Sequence, residues 1–429
     1  MQHLIVVGGG WSGCAAALAA AKKGLAVTLI ERTDRLLASG LVGGIMRNNG
    51  RYTAAEELKL MGAGELVEIT DCCARHANMD FPGHRHASFY DVERVELPVL
   101  QLLQSHGVKV LFGRRVVNVE VKDRLVRAVI LSQGREVIRG TVFIDASGTA
   151  GPTANCSRFG NGCAMCIFRC PTFGPRVSIA VKAGAEKIPL QRPAGQPGYF
   201  SGSCELEPSS LSPDLLRELR QKGVVLLPLP RELIDESSGS PAEEKACRQY
   251  VLPQFKENIV LIDNGAVKMM APFFSLQALR RFPGLERAVY RDPLGGSRGN
   301  SIRFSGMVLR DNRLLLPHLD NLLVAGERAG LAVGHTEAMI TGTLAGYNAW
   351  RISEGLEPVL LPRDTVCGTL IYFTRQMGRT AAGRRGIYTL SGGLLWDYIC
   401  KRGLYSTDRD KIYHRLQKAG ALAFFKDGS

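Results

Sequence analysis

Val6-Val7-Gly8-Gly9-Gly10-Trp11-Ser12-Gly13, followed downstream by Glu31-Arg32, decides how this chain is read. Leu4 to Val7 is a short apolar, β-branched run of the kind that forms a buried parallel strand. Gly8, Gly10 and Gly13 spell G-x-G-x-x-G. The first glycine permits a tight turn, the second lets a pyrophosphate approach the backbone, and the third lets the following helix lie close to the strand. Cys14 to Lys23 is alanine-rich and reads as that helix, closed by Gly24, with its N-terminus facing the phosphates. Leu25 to Ile30 reads as a second strand, and Glu31 stands where an acid takes ribose hydroxyls. Strand, turn, helix, strand and acid in register predict a dinucleotide site. Its candidate residues are Gly8, Gly10, Trp11, Ser12, Gly13, Glu31 and Arg32.

Two later segments choose between dinucleotides. Thr141 to Ile144 reads as a strand running into Asp145-Ala146-Ser147-Gly148, and Asn321 to Val324 as another running into Ala325-Gly326-Glu327. These resemble the turn motifs of FAD proteins of the two-dinucleotide-fold, glutathione-reductase-like type, with Glu327 where such proteins carry an Asp on the ribityl chain. Next come Gly334-His335-Thr336-Glu337-Ala338 and an Ala/Gly-rich helix to about Trp350. The resemblance implies that this helix points its N-terminus at the flavin ring, where its dipole stabilises negative charge. FAD is the expected cofactor. Gly326, Glu327, Thr336, Glu337 and Ala338 join Ala146, Ser147 and Gly148 as expected contacts, with His335 as the candidate catalytic residue.

The 429 residues suit two domains or one large composite. No apolar run is long enough to span a bilayer, so no membrane association is expected. The chain enters its first strand with no basic leader, and eleven cysteines without a secretory signal suggest a reducing, cytoplasmic setting. The net charge is +14. Residues 363–429 hold twelve Lys/Arg against five Asp/Glu, half of that excess, interleaved with aromatics such as Tyr372, Trp396 and Tyr413. Such a surface fits a solvated helical face, an RNA contact, or an acidic partner.

Between these landmarks, Ser39 to Gly44 is glycine-rich, and the resemblance implies that Gly43 and Gly44 wrap the pyrophosphate. No cysteine lies between Cys14 and Cys72, which argues against a cysteine-pair disulfide reductase. Tyr52 to Leu66 reads as a helix. Cys72-Cys73 with His76, His84 and His86 could bind metal, but their spacing matches no standard zinc pattern, so the stretch through Phe81 to His86 is expected to be loop. Val92 to Ser105 reads as a helix and Val108 to Phe112 as a strand. Val116 to Val121 and Leu125 to Leu131 read as a hairpin, and Glu136 to Ile144 as a return to the main sheet. The resemblance places adenine against a backbone amide near Val117. Cys156, Cys163, Cys166 and Cys170-Pro171 approach a ferredoxin-like run with one cysteine missing. An iron–sulfur cluster, zinc, redox or nucleophilic thiols, and simple packing all remain open there.

From Gly174 to about Gly306 the chain reads as a substrate domain. It shows a strand at Arg176 to Val181, helices at Pro213 to Gln221 and Ala242 to Tyr250, a polar linker at Glu232 to Pro241, and strands from Ile259 to Ala271. The loop Gly295 to Asn300, with Arg303, either binds an anionic substrate or turns the chain. The expected fold is therefore α/β, with four parts. Residues 1–155 form the first part of a Rossmann-like FAD domain (insertion at about 50–90), and 156–305 an inserted α+β cap. Residues 306–362 form the second part of the FAD domain, and 363–429 a basic, mainly helical tail.

Residues 1 to about 155 resemble a broad family of FAD-dependent oxidoreductases. Residues 321 to about 375 resemble the folate- and FAD-dependent tRNA uracil-5 methyltransferases and, more distantly, the GidA/MnmG-like flavoproteins. That second likeness runs through Leu344-Ala345-Gly346-Tyr347-Asn348-Ala349, Leu361-Pro362-Arg363-Asp364-Thr365 and Gly368-Thr369-Leu370-Ile371. The methyltransferase's catalytic cysteine motif has no clear equivalent; Cys204 is the nearest substitute. The leading expectation is an FAD-dependent oxidoreductase transferring hydride or electrons to or from a small molecule. A flavin- and folate-dependent enzyme modifying RNA uridines, and an FAD/iron–sulfur electron-transfer subunit, are the alternatives.

Overall fold

A computed structural model describes residues 2–41, 44–132, 136–148, 173–190, 199–201, 204–235, 252–270, 275–291, 301–303 and 306–426. The opening stretch forms strand β1 (His3–Val7), helix α1 (Trp11–Ala21) and strand β2 (Ala26–Ile30). After them come β3 (Ile45–Met46), α2 (Gly50–Leu60), α3 (Glu65–Cys72), β4 (Ala74–Phe81), β5 (His84–Tyr90), α4 (Glu96–Ser105) and β6 (Lys109–Leu111). Then follow β7 (Val116–Lys122), β8 (Leu125–Leu131), β9 (Val137–Arg139) and β10 (Val142–Asp145). The middle of the chain supplies β11 (Cys204–Leu206), α5 (Pro213–Lys222), β12 (Val224–Pro228), β13 (Asn258–Asp263) and β14 (Val267–Met270). The last part holds β15 (Leu322–Val324), α6 (His335–Ser353), α7 (Val366–Gly378), α8 (Gly393–Lys401) and α9 (Arg409–Lys418).

The organising layer is a parallel five-stranded sheet in the order β15-β10-β1-β2-β6. Leu4, Ile5 and Val6 are fully buried, as a strand covered on both faces requires. The register puts Val7 beside Asp145 and Asp145 beside Val324. Three turns far apart in sequence, after residues 7, 145 and 324, thus leave the sheet along one line at its C-terminal edge, where open α/β sheets bind ligands.

A second body is antiparallel, in the order β11-β14-β13-β12, with α5 covering its own apolar core through Leu215 and Leu219. Ser212 caps α5 by accepting from Leu215 N, and Gly223 ends it in the left-handed region at φ 73°. The small sheet β3-β5-β4 fuses this body to the first: Ile45, Phe81 and Phe89 share a cluster with Val260, Ile262 and Met270. Strands β7, β8 and β9 form a meander, whose first turn places Asp123 and Arg124 at φ 52° and 61°.

The C-terminal helices are built into the main core. Val366, Leu370, Ile399, Ile412 and Leu416 join the same cluster as Leu4 and Ile5. The fully buried Glu57 of α2 ties them down, accepting from Val366 N at 3.0 Å, Cys367 N at 2.9 Å and Arg415 at 2.9 Å. Among the described residues no helix is long and apolar enough to cross a membrane.

Several local expectations need correction. The stretch read as loop around His76 to His86 is the hairpin β4–β5. The helix expected over Tyr52 to Leu66 breaks into α2 and α3 at Gly62, which adopts φ 86°. The strand expected at Arg176 to Val181 is instead a short helical turn, Ile179–Lys182, because Ser178 Oγ accepts from Val181 N. Glu136 to Ile144 divides between the meander and the main sheet. Cys156, Cys163, Cys166, Cys170, Gly43, Ala242 to Tyr250 and Gly295 to Asn300 lie outside the described residues.

Candidate functional site

At the turn after β1 the glycines behave differently from one another. Gly8 sits at φ 108°, and a Cβ there would run into the backbone of Ala146. A Cβ on Gly13 would collide with the Gly8 carbonyl. Around Gly10 an added Cβ would meet none of the described residues within 4 Å. Gly10 precedes α1, whose N-terminus has no capping side chain, so first-turn amides face that space. The Glu31 carboxylate is buried below it, accepting from Gly9 N at 2.7 Å and from Thr33 N and Oγ1 at 2.8 and 2.9 Å. Arg32 turns away, donating to Gly174 O at 2.6 Å.

The second turn is braced from beneath. Asp145 is fully buried; Oδ1 accepts from Ser147 N and Oγ, and Oδ2 from Ser178 Oγ and Ala180 N. The Ser147 hydroxyl is therefore spent on the turn, while Ser147 and Gly148 remain half-buried. The buried Arg328 guanidinium links this turn to the third, donating to Gly148 O and Gly306 O. Burial pulls its pKa below the usual arginine value, and the charges of Asp145 and Glu327 offset this only in part. Gly326, at φ 64°, lies against Ser12 Oγ, and its amide donates to Thr341 of α6.

Helices α1 and α6 run in step. A Cβ at Gly342 would strike Ser12 O, and one at Gly346 would strike Ala16 O. The matching four-residue spacing makes the two helices parallel neighbours. Level with the start of α1 lies Thr341, so α6 projects six residues, about 9 Å, beyond it. The first turn of α6 is also uncapped by any side chain. Half-buried on one side of this turn are His335 and Ala338, at the spacing that shares a helix face.

Thr336 and Glu337 fall on the opposite, buried side, and their side chains serve the scaffold rather than the cleft. The Thr336 hydroxyl meets the Met46 sulfur at 3.5 Å. The Glu337 carboxylate accepts from Arg51 at 3.0 Å, Thr389 at 2.9 Å and Leu390 N at 2.8 Å. Glu327 is half-buried at the turn below. Gly44, at φ 59°, lies against the Tyr90 carbonyl. Val117 occupies a bulge in the β7–β8 ladder, between the pairs Val116–Leu131 and Asn118–Ile130. Tyr90, Arg51 and Arg328 were not expected at this site. They arrive from other elements and carry no local motif.

The histidines near Cys72 and Cys73 do not converge. His76 meets Asp263 at 2.9 Å, His84 meets Pro82 O and stacks on Phe81, and His86 meets Asn78. Among the described residues no group of three or more His, Cys, Asp or Glu could hold a metal ion.

Comparison with known proteins matches residues 3–154 to the model of the FAD dependent oxidoreductase family. The chain is an FAD-dependent oxidoreductase. Residues 243–357 match the model of glucose inhibited division protein A. A methylenetetrahydrofolate–tRNA-(uracil-5-)-methyltransferase of Symbiobacterium thermophilum is 25% identical over 427 residues, covering 86% of each chain. A Synechococcus protein of the same name is 26% identical, covering 86% of this chain and 83% of its own. The GidA structure of Aquifex aeolicus superposes with a TM-score of 0.65 over 97% of this chain and 76% of that one, at 17% identity, a likeness of fold.

FAD is the cofactor, and the residues present fit it. The open cradle at Gly10 before an uncapped helix suits a diphosphate, and a second uncapped helix end about 9 Å further on suits an electron-rich ring edge.

Proposed function

We propose that this oxidoreductase acts on uridine in RNA. The observation that carries the reading is the reach of the likeness to the tRNA-(uracil-5-)-methyltransferases. It spans 86% of both chains, and so extends well past the FAD-binding third and through the cap. The chain's own charge agrees: Arg409, Lys411 and Arg217 are among many exposed bases on a chain of net charge +14.

In this reading the α1 N-terminus and Gly10 hold the diphosphate, and Glu31 orients the adenosine ribose. The bulge at Val117 receives adenine. Gly148 and Glu327 flank the ribityl chain, and the open turn Gly334–Ala338 meets the ring. Bound FAD supplies two-electron chemistry at the central ring. The chain's own contribution is electrostatic and positional. The positive end of α6 favours negative charge at the adjoining ring edge, and the parallel contact with α1 fixes its distance from the diphosphate.

The test is anaerobic incubation of the FAD-loaded protein with undermodified tRNA, methylenetetrahydrofolate and NADPH, followed by nucleoside mass spectrometry. A new modified uridine, with RNA retention that falls steeply with salt, is the expected result. No RNA retention at low salt and no modified nucleoside, with NADPH consumed regardless, would return the chain to small-molecule redox chemistry.

A further inference from the structure

The first turn of α6 carries one ionisable side chain on its open face, His335, and the fold determines which of its nitrogens bears the proton. Tyr90, at the end of β5, is fully buried. Its hydroxyl donates to the Gly40 carbonyl and lies 3.0 Å from His335 Nδ1. A phenol has one hydrogen, and a carbonyl can only accept. With that hydrogen given to Gly40, the contact with His335 requires Nδ1–H as donor. Trp11 holds the pair in place, with its ring centroid 5.9 Å from Tyr90, edge-on, and 6.3 Å from His335. Trp11 is in turn pressed onto Gly40, where a Cβ would collide with the indole.

We propose that Tyr90 is a positioning residue that locks His335 in the Nδ1–H tautomer, making Nε2 the basic nitrogen of the site. The ring can then take up a proton at Nε2 while Nδ1–H stays on Tyr90, so the site's proton acceptor has a fixed orientation. Arg51 on α2 and Glu205 on β11 act on Tyr90 with opposite sign, and Glu337 of α6 is committed to Arg51. Burial pushes the Tyr90 phenol up, so it keeps the hydrogen it gives to Gly40. The role in proton uptake rests on the reading that this turn faces the flavin; the tautomer does not.

The experiment is 15N-histidine NMR of the full-length protein loaded with FAD, with the His335 signals assigned by their loss in His335→Gln. The expected spectrum shows His335 protonated at Nδ1, the minority tautomer of histidine in water. In Tyr90→Phe those signals move to the Nε2–H form or to a mixture. The midpoint potential of the bound flavin against pH gives a second reading: Tyr90→Phe changes the curve in the wild-type background and not in His335→Gln, because it acts through that ring. An Nε2–H tautomer in the wild type, an unchanged tautomer in Tyr90→Phe, or additive effects in the double variant would overturn the proposal. If Tyr90→Phe does not fold, the wild-type spectrum alone decides. Wild-type protein that shows the Nδ1–H form yet takes up no FAD would refute the flavin-site reading and leave the tautomer standing.

Discussion

The two ends of the site are built by different means. At the N-terminus of α1 the work is done by backbone: three glycines of one turn, two of them closed to any side chain and one left open. At the N-terminus of α6 it is done by side chains drawn from four elements, with Arg51 on Glu337 and Tyr90 on His335. The first end is held by close backbone packing at Gly8 and Gly13; the second is held by ion pairs and hydrogen bonds between side chains. Substitutions at the two ends should therefore fail in different ways.

The largest effect is expected for Gly13→Ala. Its methyl meets a backbone carbonyl that cannot yield without moving β1. Soluble, flavin-binding protein should be lost, as judged by yield and by the flavin absorbance of the purified fraction. Recovery of a yellow, cooperatively unfolding variant would show that the turn can relax. Next comes Glu337→Gln, which leaves the Arg51 charge without its buried counterion at a cost of about 3 kcal/mol. Urea unfolding should show this as a lower midpoint with an unchanged slope. Gly10→Ala sharpens the contrast, because φ −71° and open space let alanine fold there without strain. The apo protein should keep its unfolding midpoint while FAD affinity, read by fluorescence quenching, falls about tenfold or more, roughly 1.4 kcal/mol. An equal loss of stability would mean that Gly10 serves the fold rather than the ligand.

The effect that is smallest at neutral pH lies away from both ends. His84 is buried and stacked on Phe81, and desolvation pushes its pKa down to about 3. The unfolded chain, with an ordinary histidine value of 6.5, binds the proton first. His84 therefore contributes nothing to pH dependence above about 6.5. Below it, stability falls by up to about 1.4 kcal/mol per pH unit until the folded pKa is reached. His84→Phe should flatten that part of the stability curve; an unchanged slope would assign it to other groups.

Local spacing made the first end legible. Gly8, Gly10, Gly13 and Glu31 lie within one strand–helix–strand unit, and the register of β1, β10 and β15 brings the other two turns to the same edge. The second end was hidden because its partners are remote: His335 and Tyr90 are 245 residues apart, and Glu337 and Arg51 are 286 apart. Nothing in His84-Arg85-His86-Ala87-Ser88-Phe89 before Tyr90 marks its hydroxyl as a site group. The hairpin carrying it was also disguised. Register shifts interrupt the β4–β5 ladder, and Asn78 and His86 at φ 58° and 56° break the alternation by which a strand is recognised. Thr336 and Glu337 lie in the first turn of α6, and the face each takes follows from helix phase once the buried side is known.

The stepped contact of α1 with α6 has one more consequence. Gly342 on Ser12 and Gly346 on Ala16 make the two helices a gauge whose reading is a number of residues, not a side-chain fit. Inserting one helical turn between Ala338 and Gly342 would leave every glycine contact in place and carry His335 about 5.4 Å further along the axis. The spacing between the two helix N-termini is thus written into the length of a helix, where a deletion shortens it and no point mutation can.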